Sequence, residues 1–113
     1  MPARRSVRKR SGESILVTDA MTGRTIGRIG NLSVDGMMLI GVAPFAEGSL
    51  YQLQFLLSDA QRQQRRLEIG IQCLWSEAAR TENTYWAGCR IIDIAPAEQQ
   101  ILEGWVERAA EVV

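Results

Sequence analysis

Between Leu67 and Trp75 the chain keeps its clearest period. Leu67, Ile69, Ile71, Cys73 and Trp75 occupy alternate positions, with Glu68, Gly70 and Gln72 between them. A two-residue period puts one set of side chains on a core face and the other towards solvent, so this stretch predicts a half-buried strand. Five further stretches read as strands from their β-branched, aromatic and aliphatic content: residues 14–18, 24–32, 37–42, 50–57 and 85–92. Turn residues separate them. Asp19 to Gly23 forms one turn, with Gly23 able to take a positive φ. Pro44 and Gly48 bracket another, and the polar stretches 58–66 and 77–83 read as exposed connections. Gly88 lies inside the last strand.

The period changes after Pro96, a residue suited to a helix first turn, and Glu98 adds the negative charge favoured there. Ile101, Leu102, Trp105, Val106 and Ala109 then recur at three- and four-residue steps, while Gln99, Glu103, Glu107 and Arg108 fall mostly off that face. The pattern predicts an all-β fold with a terminal helix. Six short antiparallel strands closed into a barrel bury their edges, and a C-terminal α-helix at about residues 96–111 packs its Trp105 face on them.

A chain of 113 residues, 46% apolar and 23% charged, fits one globular domain with one modest core. No apolar run approaches the roughly 20 residues of a membrane span. The basic N-terminus has no apolar segment after it to make a signal peptide. A cytoplasmic protein without a membrane span is the expectation. Cys73 and Cys89 have no metal-ligand spacing and no histidine to join them, so they read as buried free thiols.

The net charge of zero conceals an asymmetry. Arg4, Arg5, Arg8, Lys9 and Arg10 lie in the first ten residues without an acid among them, which leaves eight basic residues against 13 acidic ones in the rest. A flexible basic arm over residues 1–12, ahead of a domain over 13–113, points to a polyanionic partner or to a tail resting on its own acidic body. Within the arm, RRSVR at 4–8 sets Arg4 and Arg8 in the spacing RxxxR. A guanidinium grips phosphate oxygens with a planar fork and stacks its flat face on a base. Further on, NLSVDG at 31–36 sets Asn31, Ser33 and Gly36 between two strands. The Asn31 amide both donates and accepts, which suits a purine edge. Ser33 can bond a phosphate or fix the loop, and Gly36 permits close approach and unusual φ. Alternatively, all three residues serve only the turn.

The two motifs in this order, RxxxR and then (D/N)xSxxG after 22 intervening residues, resemble the PilZ domain family. The resemblance extends over nearly the whole chain. GMMLI at 36–40 is similar to the third PilZ strand, and CLW at 73–75 and WAGCRIIDI at 86–94 to the fifth and sixth. It implies a six-stranded antiparallel barrel with a C-terminal helix, and cyclic di-GMP, a bacterial second messenger, as the ligand. It also implies that Arg4 and Arg8 hold phosphates and stack on guanine, that Arg5 assists, and that Asn31, Ser33 and Gly36 line the ligand from the barrel. Trp75 resembles a strand tryptophan that contacts guanine in some members. Its odd-numbered position shares a face with Ile71 and Cys73, so the alternatives are core packing and, if a bulge turns the ring outward, ligand contact. Trp86 and Trp105 read as packing residues. Some members have an extra arginine immediately before RxxxR and bind a ligand pair. Ala3 stands there in this chain, which implies one ligand per chain.

The functional expectation is a non-enzymatic receptor with no cofactor. Its arginine arm orders over the barrel on binding cyclic di-GMP, and it signals to an unidentified output protein in motility, pilus or biofilm control. The alternative is a PilZ-like adaptor that binds protein and no nucleotide, against which the retained motif residues argue. A nucleic-acid polymer is disfavoured by the acidic body and by the lack of an aromatic platform near the arm. An enzyme is disfavoured because the sequence has no histidine, metal cluster, nucleophile motif or Walker loop.

Overall fold

The computed structural model describes residues 9–10 and 14–110. Its elements in chain order are β1 (Lys9–Arg10), β2 (Leu16–Asp19), β3 (Thr25–Leu32), β4 (Gly36–Gly41), β5 (Leu50–Ser58), β6 (Gln64–Ala78), β7 (Tyr85–Asp93) and α1 (Pro96–Ala110). Six strands join antiparallel in the order β3-β2-β5-β6-β7-β4, and β4 pairs back on β3 to close the barrel. The two residues of β1 add to β3, with Lys9 opposite Leu32 and Arg10 opposite Asn31.

The predicted alternation fills the interior. Leu67, Ile69, Ile71 and Cys73 of β6 face Leu53, Phe55 and Leu57 of β5, Ala87 and Cys89 of β7, and Met37 and Leu39 of β4, all buried. Gly23 and Gly48 take the left-handed φ that their turns require, at 75° and 83°. Helix α1 seals the barrel. Leu102 and Val106 are buried, and Ile101 and Trp105 pack beside them. Polar bonds fix the helix. The Glu98 carboxylate accepts from the Glu68 backbone N–H at 2.8 Å, and Arg108 donates to the Ser58 carbonyl at 2.7 Å.

The strands run further than the sequence pattern predicts. Ser58 pairs with Gln64, so the connection expected over 58–66 shrinks to Asp59–Gln63, and β6 likewise continues through Glu77 and Ala78. At both ends β6 extends beyond the core. Gln64, Arg65 and Arg66 at one end of β6 and Glu77 and Ala78 at the other are exposed, although the backbone ladder continues. Asp59 builds the short turn. One carboxylate oxygen accepts from the N–H groups of Gln61 and Gln63, both at 2.9 Å, and Arg62 takes a φ of 63°. The other oxygen meets Arg65 at 3.3 Å.

Two predictions follow from this packing. Leu102→Ala removes the buried centre of the lid and lowers unfolding free energy by about 2–5 kcal/mol in urea titration, whereas the exposed Glu107→Ala stays within roughly 0.5 kcal/mol. Asp59 is held below its ordinary pKa of 3.8, mainly by the Gln63 N–H. A lowered folded pKa means that the turn contributes stability above pH 3.8 and loses it as pH falls through the lower folded value. Asp59→Asn therefore flattens the acid limb of a stability-against-pH curve. An unchanged limb contradicts this reading.

Candidate ligand-binding face

Strict alternation along β3 from the buried Ile29 would point Asn31 into the core and Leu32 out. The structure does the opposite. Ile29 pairs with Leu39, but Asn31 pairs with Met38, so Gly30 is an extra residue on β3. This bulge returns Leu32 to the core, fully buried, and leaves Asn31 half-buried on the outer face. The same device recurs on β6. Cys73 pairs with Cys89, but Trp75 pairs with Gly88, so Leu74 is extra. Cys73 is buried, whereas Trp75 is 37% exposed. Of the two alternatives for Trp75, the bulge selects the outward one.

The two re-aimed residues fall on one cross-strand row. Asn31 is opposite Met38 across β3–β4, Met38 is opposite Gly88 across β4–β7, and Gly88 is opposite Trp75 across β7–β6. The row is in contact along its length. Asn31 Nδ2 donates to Met38 Sδ at 3.9 Å. The indole lies directly on Gly88, where an added Cβ would come 2.2 Å from Trp75 Nε1 and 2.4 Å from Cε2. The result is a shallow face with an amide at one end, a thioether in the middle and an aromatic ring at the other end. Amides pair with base edges, and flat apolar groups stack on base faces. The hollow of about 240 Å³ beside Trp105 and Ile15 lies away from this row.

Ser33 and Gly36 support the face from one end. Ser33 is fully buried. Its N–H donates to the Gly36 carbonyl at 2.9 Å, and its Oγ accepts from the Gly36 N–H at 3.2 Å. The hydroxyl proton is within reach of Asp35 Oδ1 at 2.9 Å and the Gly36 carbonyl at 3.1 Å. Ser33 thus takes the place of a backbone acceptor in a tight turn. Gly36 needs no unusual φ. Among the described glycines only Gly23 and Gly48 have a positive φ, and Gly36 opens β4 as a regular strand residue opposite Arg90. The expectation of a special φ at Gly36 is therefore corrected: the Ser33 bonds close the turn without it.

Arg4, Arg5 and Arg8 lie outside the described residues. The neighbouring Lys9 and Arg10 pair with Leu32 and Asn31, which fixes the end of the basic arm against the strand that carries the motif. Trp105 packs as expected, but Trp86 is 36% exposed, on the outer face between Ile40 and Glu77. The packing role expected for Trp86 is corrected accordingly. Cys73 and Cys89 are buried opposite each other, and burial raises both thiols, Cys89 to about 12. Both are neutral core residues near pH 7. Among the described residues no group of histidine, cysteine, aspartate or glutamate is placed to hold a metal. No described helix is long and apolar enough to cross a membrane. Sequence reasoning missed Met38 and Gly88. Met38 is hidden in a uniformly apolar run, but a glycine inside a strand is a signal of close approach.

The PilZ domain model matches residues 2–108. The chain belongs to the PilZ domain family. No curated protein matches it. Among solved structures, this PilZ chain is similar to the Bacillus subtilis inhibitor of motility MotI/DgrA, at 17% identity and a TM-score of 0.79, covering 99% of this chain and 53% of that one. It is also similar to the PilZ domain of Escherichia coli YcgR with c-di-GMP, at 16% identity and a TM-score of 0.68, covering 98% and 94%. The structure of YcgR from Escherichia coli in complex with c-di-GMP matches at 21% identity and a TM-score of 0.69, covering 96% and 48%. The chain thus spans about half the length of MotI/DgrA and of that YcgR chain, and nearly all of the isolated YcgR PilZ domain. At these identities the likeness establishes the shared fold.

The Gly88 contact generates a test of the face. Gly88→Ala forces the indole to move, because its ring edge occupies the space of the new methyl group. The ring edge is the far end of a side chain, so the expected stability loss is small, about 1 kcal/mol or less. Trp75 should become more exposed, with its fluorescence shifted to the red. An unshifted spectrum, read against Trp75→Phe to isolate this indole, contradicts the packing described.

Proposed function

We propose that this PilZ domain is a cyclic di-GMP receptor in which the arginine arm closes over the Asn31–Met38–Gly88–Trp75 row. The observation that carries the reading is the pairing of Lys9 and Arg10 with Leu32 and Asn31. The arginine motif ends at Arg8, immediately before this paired segment in the sequence, so the arm enters the barrel at the strand that carries the second motif. Cyclic di-GMP has two phosphates and two guanines. The arm offers arginine charge for the phosphates, and the row offers a stacking surface with an amide at its end. The family and the c-di-GMP complexes of its YcgR neighbours support the same ligand.

In this reading Arg4 and Arg8 grip phosphate and stack on guanine, and Arg5 assists. Asn31 pairs with a base edge, and Trp75 stacks on a base. Ser33, fully buried, acts through the shape of the turn, and Gly36 through the start of β4. Hydrogen bonds to charged groups contribute roughly 1.5–3 kcal/mol each, so a few of them offset the entropy of ordering a short arm. Binding then changes the surface shown to a partner, an order–disorder switch of the kind that serves signalling. The partner is a protein in motility, pilus or biofilm control. One ligand per chain is expected, because Ala3 stands where a pair-binding arm has arginine.

Calorimetric titration with cyclic di-GMP, and GMP as control, tests the assignment. Wild type is expected to bind cyclic di-GMP with a stoichiometry near one and GMP weakly. Arg8→Ala should abolish or weaken binding by at least about 10-fold with the melting temperature unchanged. Undiminished affinity in Arg8→Ala overturns the role of the arm, and no binding by wild type favours the protein adaptor.

A further inference from the structure

A second outward row lies beside the first. Gly36 of β4 is opposite Arg90 of β7, and Arg90 is opposite Gln72 of β6. Arg90 follows Gly88 by two positions, so the rows are about 7 Å apart along the strand. Arg90 is exposed, but its guanidinium is not loose. Its Nε donates to Gln72 Oε1 at 3.0 Å, and Gln72 Nε2 reaches the Gly48 carbonyl at 3.4 Å. Its two terminal nitrogens make no hydrogen bond or ion pair with any described residue, and the ion pair among the described residues is elsewhere, between Arg65 and Asp59. A guanidinium held at Nε and open at its other edge presents a fixed two-pronged donor.

A base lying flat on Met38, Gly88 and Trp75 turns an edge towards this neighbouring row. Guanine offers two adjacent acceptors there, O6 and N7, which match the fork of an arginine. Adenine offers a donor and an acceptor on the same edge, which do not. We infer that Arg90, oriented by Gln72, is a ligand-contacting residue that reads the O6/N7 edge of one guanine of cyclic di-GMP. This inference rests on the proposed receptor function. It adds a cation fixed to the barrel wall to those that the arm offers. It also assigns the guanine selectivity of the site in part to the barrel and not to the arm alone.

The experiment is a thermodynamic cycle by calorimetry on the full chain, with cyclic di-GMP and its 7-deazaguanine analogue, which lacks N7. Arg90→Ala is expected to bind cyclic di-GMP about 10- to 100-fold more weakly, with an unchanged melting temperature. Arg90→Lys keeps the charge but not the fork and should recover only part of the loss. Gln72→Ala should lose about 3-fold, because the fork is no longer held. The analogue should bind wild type about 10-fold more weakly than cyclic di-GMP, yet cost Arg90→Ala little or nothing further. Arg66→Ala, on the far part of β6, should match wild type. Unchanged affinity in Arg90→Ala overturns the proposal. The same analogue penalty in wild type and Arg90→Ala overturns the guanine-edge assignment in favour of a phosphate contact. Failure of wild type to bind cyclic di-GMP is a different result, which removes the receptor reading itself.

Discussion

The candidate face depends on a constraint of strand geometry. Side chains alternate with a period of two, so a residue two places from a core position is itself in the core unless the register slips. Asn31 and Trp75 both stand two places from a core residue, Ile29 and Cys73. A bulge at Gly30 and another at Leu74 release them to the surface. Without the first bulge a polar amide would enter the barrel and Leu32 would leave it. Without the second the barrel would have to house an indole. Each bulge therefore serves the core and the surface together, and the register of β4 and β7 brings the two released side chains onto one row.

The electrostatics divide between the arm and the barrel. Most of the positive charge ahead of the barrel sits on a short segment, and the rest of the chain is acidic in sum. An anionic ligand on the outer face would meet net repulsion from the body without local cations, since interaction at these distances is only partly screened. The β1 pairing sets the backbone of Lys9 and Arg10 beside Leu32 and Asn31, and Arg90 stands on the other side of Gly88 from the Ile40–Trp86 row. In the proposed reading the arm would bring its charge to the ligand, while Arg90 has its orientation fixed in advance by Gln72. Preorganised donors lose less on binding than flexible ones, so the two sources complement each other.

Much of the architecture was legible in the sequence. The alternation from Leu67 to Cys73 placed the core of β6 correctly, the helical face at Leu102 and Val106 identified the lid, and Gly23 and Gly48 took the predicted positive φ. The bulges were harder to read, because a single inserted residue leaves the composition of a strand unchanged. Trp75 was therefore open between two faces, and Trp86, in an apolar strand, read as packing although it is exposed. Strand ends were underestimated at Gln64–Arg66 and Glu77–Ala78, where the ladder continues through residues polar enough to resemble loops. The motif at 31–36 was legible as a connection between two strands, but the separate placement of its residues was not. Only the geometry separates Asn31, on the surface row, from Ser33, which is enclosed in its own turn.

The central claim is that ligand lies on the row between the two bulges. The most direct measurement is the set of intermolecular nuclear Overhauser effects in the protein saturated with cyclic di-GMP. The account predicts contacts from a guanine H8 or ribose proton to the Met38 methyl group and the Trp75 indole protons, with the Asn31 side-chain amide shifted on binding. Saturable binding with contacts only to residues off this row, and with Met38 and Trp75 unmoved, would contradict it.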